Sequence, residues 1–101
     1  MINIGIKEEA IQKLNNVFAS YPGIDRVILY GSRAKGNYKY GSDIDLVLIA
    51  PQFTLTDLNK IENRIDDLLL PWKIDLALFH QIENPDLLEH IKRVGIAFYK
   101  K

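Results

Sequence analysis

Three aspartates and one small-residue turn carry the chemistry of this chain. Asp43 and Asp45 are separated by a single isoleucine and open an apolar run, Ile44 to Ile49. Successive strand side chains point to opposite faces, so in a strand these two share a face, with carboxylates about 7 Å apart or closer. That separation suits a pair of divalent ions, because two-metal phosphoryl-transfer sites hold their ions about 3.5 to 4 Å apart and converging carboxylates can bridge them. Mg²⁺ takes hard oxygen ligands and fills its shell from water and substrate phosphates, so two ions held by few protein ligands, without His or Cys, are the expected kind. Asp75 is the third carboxylate. It holds the second position of another strand-like run, Lys73 to Phe79. In a parallel pair it would lie beside Asp45 at one sheet edge, placed to ligate a metal, to accept the proton of an attacking hydroxyl, or both.

Gly31-Ser32 is the other half of the pattern. Backbone N–H groups at a helix N-terminus, approached closely where glycine has no side chain, form a fixed donor set for phosphate oxygens. Ser32 adds a hydroxyl, while Arg33 and Lys35, with Lys39 further along, offer positive charge to a triphosphate. Arg33 is equally explained by a salt bridge to Asp43. An isolated Asp-x-Asp is ordinarily a solvated strand edge, and a lone Gly-Ser after a strand a plain turn. The combination, with a third Asp on the next strand and no apolar reason for any of them to face a core, favours function. Three carboxylates alone would repel a triphosphate, so the metals must arrive with it.

These residues are positioned by a simple succession of elements. Ala10, Ile11, Leu14, Val17, Phe18 and Tyr21 recur at helical spacing, predicting an amphipathic helix from Lys7 to Ser20 that Pro22-Gly23 stops. Arg26 to Tyr30 reads as a short buried strand bounded by glycines. Ser32 to Lys35 predicts a short helix, Gly36 to Ser42 a turn-rich loop, and Asp43 to Ile49 the second strand. Thr54 with Asp57 three residues on is a capping-box pattern ahead of Leu58, Ile61, Ile65, Leu68 and Leu69, a helix ending before Pro71. Lys73 to Phe79 then alternates as a third strand, and the strand–helix–strand crossover should be parallel and right-handed. Asn84-Pro85 opens a last helix closed by Gly95, with Ile96 to Tyr99 as a short final strand. The expected fold is α/β (α+β): one domain over residues 1–101, with a small mixed sheet, helices packed on one face, and the Gly31 loop and three Asp residues at one edge.

Composition narrows the class further. In 101 residues, thirteen basic and thirteen acidic side chains cancel, which argues against a general grip on nucleic-acid backbone. There is no cysteine, and so no disulfide framework or thiolate metal site. The N-terminus, with Lys7, Glu8 and Glu9, shows neither signal peptide nor membrane span, and the expectation is a cytoplasmic protein. His80 and His90 have no partner at metal-ligand spacing. Trp72, Phe79 and Tyr99 read as core or interface rather than a stacking platform, since no basic stripe accompanies them. Tyr38 and Tyr40 either lie near a bound nucleotide or pin their loop, and Glu62, Asp66 and Asp67 form a solvated helix face.

Gly31-Ser32, ten intervening residues, then Asp43-Ile44-Asp45 resembles the signature of the DNA polymerase β-like nucleotidyltransferase superfamily, with Asp75 in the place of its third carboxylate. The fuller string, Gly31 through Ala34, Gly36, and Ser42 through Leu46, is similar to the minimal nucleotidyltransferase (MNT) branch, short proteins often paired with HEPN-domain partners. Lys35 stands where that family often has Arg. The resemblance implies Mg²⁺-dependent transfer of AMP from ATP to a hydroxyl. Asp43 and Asp45 would hold two Mg²⁺, Asp75 would hold the catalytic metal and help deprotonate the acceptor, and Gly31 and Ser32 would bind the terminal phosphates. It also implies an antitoxin that adenylylates a tyrosine of a HEPN toxin and forms a hetero-oligomer with it. Two other readings stand beside this one: a non-catalytic antitoxin that masks its HEPN partner, and a nucleotidyltransferase for a small aminoglycoside-type molecule whose acceptor pocket a partner supplies.

Overall fold

The structure, a computed structural model, describes residues 4–101. In chain order it has helix α1 (Glu8–Ala19), strand β1 (Arg26–Tyr30), the one-turn helix α2 (Ser32–Lys35), β2 (Ile44–Ile49), α3 (Leu55–Asp66), β3 (Ile74–Leu78), a 3₁₀ turn (Phe79–Gln81), α4 (Pro85–Val94) and β4 (Ile96–Lys100). Each expected element is present within a few residues of its predicted bounds. Asp43 falls just ahead of β2 rather than inside it, and Phe79 has left β3 for the 3₁₀ turn.

The caps explain where the helices begin. At α3 the Thr54 hydroxyl accepts from the Asp57 amide at 3.3 Å while the Asp57 carboxylate accepts from the Thr54 amide at 2.9 Å, a complete capping box. Those hydrogen bonds favour the ionised form and hold the Asp57 carboxyl below its usual range. At α4 the Asn84 side chain accepts from the amides of Asp86 and Leu87, and Pro85 occupies the first turn, where no N–H is missed.

The four strands form one mixed sheet in the order β3-β2-β1-β4. β1 is antiparallel to both β2 and β4, and β2 runs parallel to β3, as the crossover through α3 requires. Val27 and Leu29 of β1 and Ile44, Leu46 and Leu48 of β2 turn to one face, where they pack with Leu14, Val17 and Phe18 of α1 and Leu58, Ile61 and Ile65 of α3. Leu14 and Phe18 are completely buried there, and each such side chain contributes about 1.5–3 kcal/mol of transfer free energy.

Helices do not all lie on that face. The alternate residues of β1 point the other way, and α4 covers them: a side chain at Gly95, just past α4, would meet Ile28, and His90 of α4 sets its ring edge-on to Tyr30. The expectation of helices on a single face is therefore corrected. The amphipathic pattern of α4 shows that it must bury a stripe but carries no information on which side of the sheet receives it. Among the described residues no helix is long and apolar enough to cross a membrane.

Candidate active site at the α4 face

The parallel register of β2 and β3 places Asp45 directly opposite Asp75, and the antiparallel register of β1 and β2 places Tyr30 opposite Asp45. Directly paired residues on neighbouring strands project to the same face. Tyr30, Asp45 and Asp75 thus form a row across three strands, on the side that α4 covers. The Asp45 carboxyl is pushed up to about 6, first by burial, then by the charges of Asp75 and Asp43 and a side-chain hydrogen bond with Asp75, against a smaller opposing effect of Lys73. Asp45 and Asp75 are thus direct neighbours across the parallel pair. Asp43, exposed at the mouth of β2, is near enough for its charge to be felt. Lys73 stands 3.6 Å from Asp75. The Tyr30 phenol is pushed up as well, by burial and then by the charges of Asp45 and Asp75, and so keeps its proton.

Gly31 follows Tyr30 and turns the chain into α2 with φ 77° and ψ −157°, a conformation that side-chain-bearing residues rarely adopt. A Cβ there would land on Asp45 Oδ2, so the backbone passes against the carboxylate row because it has no side chain. Ser32 opens α2, and the Gly31 carbonyl accepts from the Lys35 amide to close its single turn. The Gly31 amide, expected to serve phosphate, donates here to His90 Nε2 at 3.1 Å.

Arg33 is the clear departure from expectation. It is 1% exposed, and its guanidinium donates to backbone carbonyls: Nε and Nη2 to Ser42 at 3.1 and 2.8 Å, Nη2 also to Tyr40 at 3.1 Å, and Nη1 to Ile4 at 2.9 Å. The Tyr38 and Trp72 rings lie 5.0 and 5.9 Å from its guanidinium carbon. With its donors committed and its head enclosed, this cation is not presented to a phosphate. Nor does it pair with Asp43 among the ion pairs of the described residues. Its work is to tie the loop before Asp43 and the chain at Ile4 to α2. Tyr38 thereby takes the loop-pinning role, whereas Tyr40 is 88% exposed. Lys35 and Lys39 are exposed cations flanking the loop.

The profile of the polymerase beta nucleotidyltransferase family matches residues 12–101. The chain belongs to this family. No curated protein is similar enough in sequence to count as a match. Among solved structures, a toxin–antitoxin crystal structure with AMP-PNP superposes with a TM-score of 0.71 at 20% identity, covering 95% of this chain and 75% of that one. A tri-AMPylated Shewanella oneidensis HEPN toxin in complex with an MNT antitoxin superposes at 0.69 with 14% identity, covering 95% and 74%. A further toxin–antitoxin complex, MntA–HepT, gives 0.68 at 14% identity, covering 94% and 74%. At these identities the likeness is one of fold: the nucleotidyltransferase domain carries a mixed four-stranded sheet shared with those proteins.

The donor set of this nucleotidyltransferase domain suits a hard divalent cation. Asp45 is hard to ionise because burial, and then the like charges of Asp75 and Asp43, disfavour its charged form, and a cation between the carboxylates would offset the repulsion. Among the described residues no three His, Cys, Asp or Glu side chains are gathered closely enough to cage an ion alone. A cation held by these aspartates would complete its shell from water and phosphate oxygens, as Mg²⁺ does. Two participants escaped the sequence reading. Tyr30 looked like one more apolar strand residue, and His90 lacked any neighbour in sequence that would reveal its contact with Gly31.

Proposed function

We propose that this nucleotidyltransferase moves AMP from ATP to a tyrosine hydroxyl of a HEPN-class partner protein and so silences it, acting as the antitoxin of the pair. The observation that carries the reading is the direct pairing of Asp45 with Asp75 across a parallel register, beside a glycine turn that brings backbone against Asp45. Asp43, Asp45 and Asp75 would hold two Mg²⁺, which supply charge neutralisation of the triphosphate and of the developing negative charge in transfer. Ser32 and the Gly31 turn receive the terminal phosphates. Asp75, at the edge strand of the sheet, faces the side from which an acceptor can approach, and takes the acceptor's proton. The hydroxyl oxygen then bonds to the α-phosphorus, the bond from that phosphorus to the bridging oxygen breaks, and the electron pair departs with pyrophosphate. Support for a protein acceptor comes from the likeness to the toxin–antitoxin complexes, one of them with an AMPylated toxin. A cytoplasmic site of action, where ATP and Mg²⁺ are abundant, belongs to the same reading.

The test is incubation of the chain with Mg·ATP and its HEPN partner, followed by intact-mass measurement. An added AMP on a partner tyrosine, lost in the Asp43→Asn, Asp45→Asn double variant, supports the reading. Neutralisation of the partner that survives this double variant, with no mass change, would establish masking instead.

A further inference from the structure

We propose that His90 is a placeholder at the nucleotide site: its Nε2 stands in for a phosphate oxygen at the Gly31 amide and is displaced when the triphosphate binds. The inference rests on the nucleotidyltransferase reading above and goes beyond it by coupling α4, an element outside the aspartate and glycine motifs, to the phosphate site.

The geometry leads there in three steps. First, the Gly31 N–H is directed by backbone that only glycine adopts comfortably, between the Asp45 carboxylate on one side and α4 on the other. Its direction is built in, and its acceptor is the variable. Second, that acceptor is an imidazole nitrogen at 3.1 Å, contributed from 59 residues away. To accept, Nε2 must be unprotonated, with the ring proton on Nδ1. The ring is held edge-on to Tyr30, with centroids 6.2 Å apart and planes at 82°, so it is not a freely rotating surface histidine. Third, one N–H serves one strong acceptor well. A phosphate oxygen and His90 Nε2 therefore compete for the same donor, and the free chain keeps that donor satisfied until the ligand takes it over. That internal hydrogen bond lowers affinity, because binding must first break it.

The consequence is specific. His90→Phe keeps a ring against Tyr30 but removes the acceptor, and should tighten AMP-PNP binding on the order of threefold to tenfold, the worth of one net hydrogen bond. His90→Gln keeps an amide oxygen as acceptor and should stay near wild type. The KM for ATP should fall in His90→Phe while kcat holds.

The deciding measurement is NMR on the intact wild-type chain, reading the scalar coupling across the hydrogen bond between Gly31 N and His90 Nε2 before and after saturation with Mg·AMP-PNP. A coupling present in the free chain and absent in the complex, together with tighter binding by His90→Phe, supports displacement. A coupling that persists while Ser32 and Asp45 resonances shift overturns it and leaves the nucleotidyltransferase reading intact, as does weaker binding by His90→Phe. No shift anywhere in the Gly31 to Asp45 segment at saturating nucleotide would overturn both.

Discussion

Asp45 carries a stability cost in the nucleotide-free chain. Its carboxyl sits at about 6 in the fold against an ordinary value near 3.8, so the folded state binds this proton more tightly than the unfolded state does. A raised carboxyl means that stability is highest below about pH 4, where both states hold the proton, and declines as pH rises through 6. Partial exposure to solvent screens the effect, leaving about 1 kcal/mol. Asp45→Asn should therefore stabilise the chain by about that amount at pH 8 in chelator, with the gain fading towards pH 4, while nucleotidyl transfer is abolished. Urea unfolding at the two pH values checks it, and a gain independent of pH would contradict the assignment. Arg33 is the converse case, a motif residue whose role is the fold. Its fork serves carbonyls of Ser42, Tyr40 and Ile4 at once. Arg33→Lys keeps the charge but offers one compact head, so it should cost about 2–3 kcal/mol in urea unfolding despite being conservative by charge. The sequence could not distinguish this role from phosphate binding, because the partners are main-chain carbonyls and carry no signature of their own.

Among the elements, the β1–α2 turn does the most with the least chain. Gly31 adopts a positive φ at a point where any side chain would strike Asp45, so Gly31→Ala combines backbone strain with a clash against a carboxylate. It should lose about 1–3 kcal/mol of stability and all detectable AMP-PNP binding. Calorimetry with the folded variant at low temperature separates the two effects; retained affinity would show that phosphate does not come near this turn. The turn, β2 and β3 were legible in advance because their signals are local: glycine at a strand end, alternating apolar residues, a crossover of the right length. The direct pairing of Asp45 with Asp75 followed from that length and from their like positions in the two strands. What stayed hidden was long-range. α4 has an amphipathic stripe, a cap and a terminating glycine in plain view, yet only the sheet's other face, formed by residues such as Ile28, determines where it docks and hence that His90 meets Gly31.

At the scale of the whole molecule, the site belongs to the sheet rather than to any one element. Tyr30, Asp45 and Asp75 come from three adjacent strands, α4 borders them on the same face, and Arg33 ties their loop to the chain at Ile4. A ligand that neutralises the aspartates and takes up the turn must then stabilise the fold globally, because the groups it joins are spread over most of the chain. Linkage sets the size: at a free concentration 100 times its Kd, a ligand that binds only the folded state adds about 2.7 kcal/mol. For a domain of about 100 residues this is a rise in Tm of roughly 10 °C or more. Mg·AMP-PNP should produce that rise in the wild-type chain. Adding EDTA should remove most of it although the nucleotide remains, since the triphosphate would then face three uncompensated carboxylates. The Asp43→Asn, Asp45→Asn double variant should show little dependence on Mg²⁺, having lost the groups through which the metal and the fold are coupled. Scanning calorimetry under these conditions decides the matter. An equal shift with metal-free AMP-PNP, or an unchanged Mg²⁺ dependence in the double variant, would place the nucleotide somewhere other than the aspartate row.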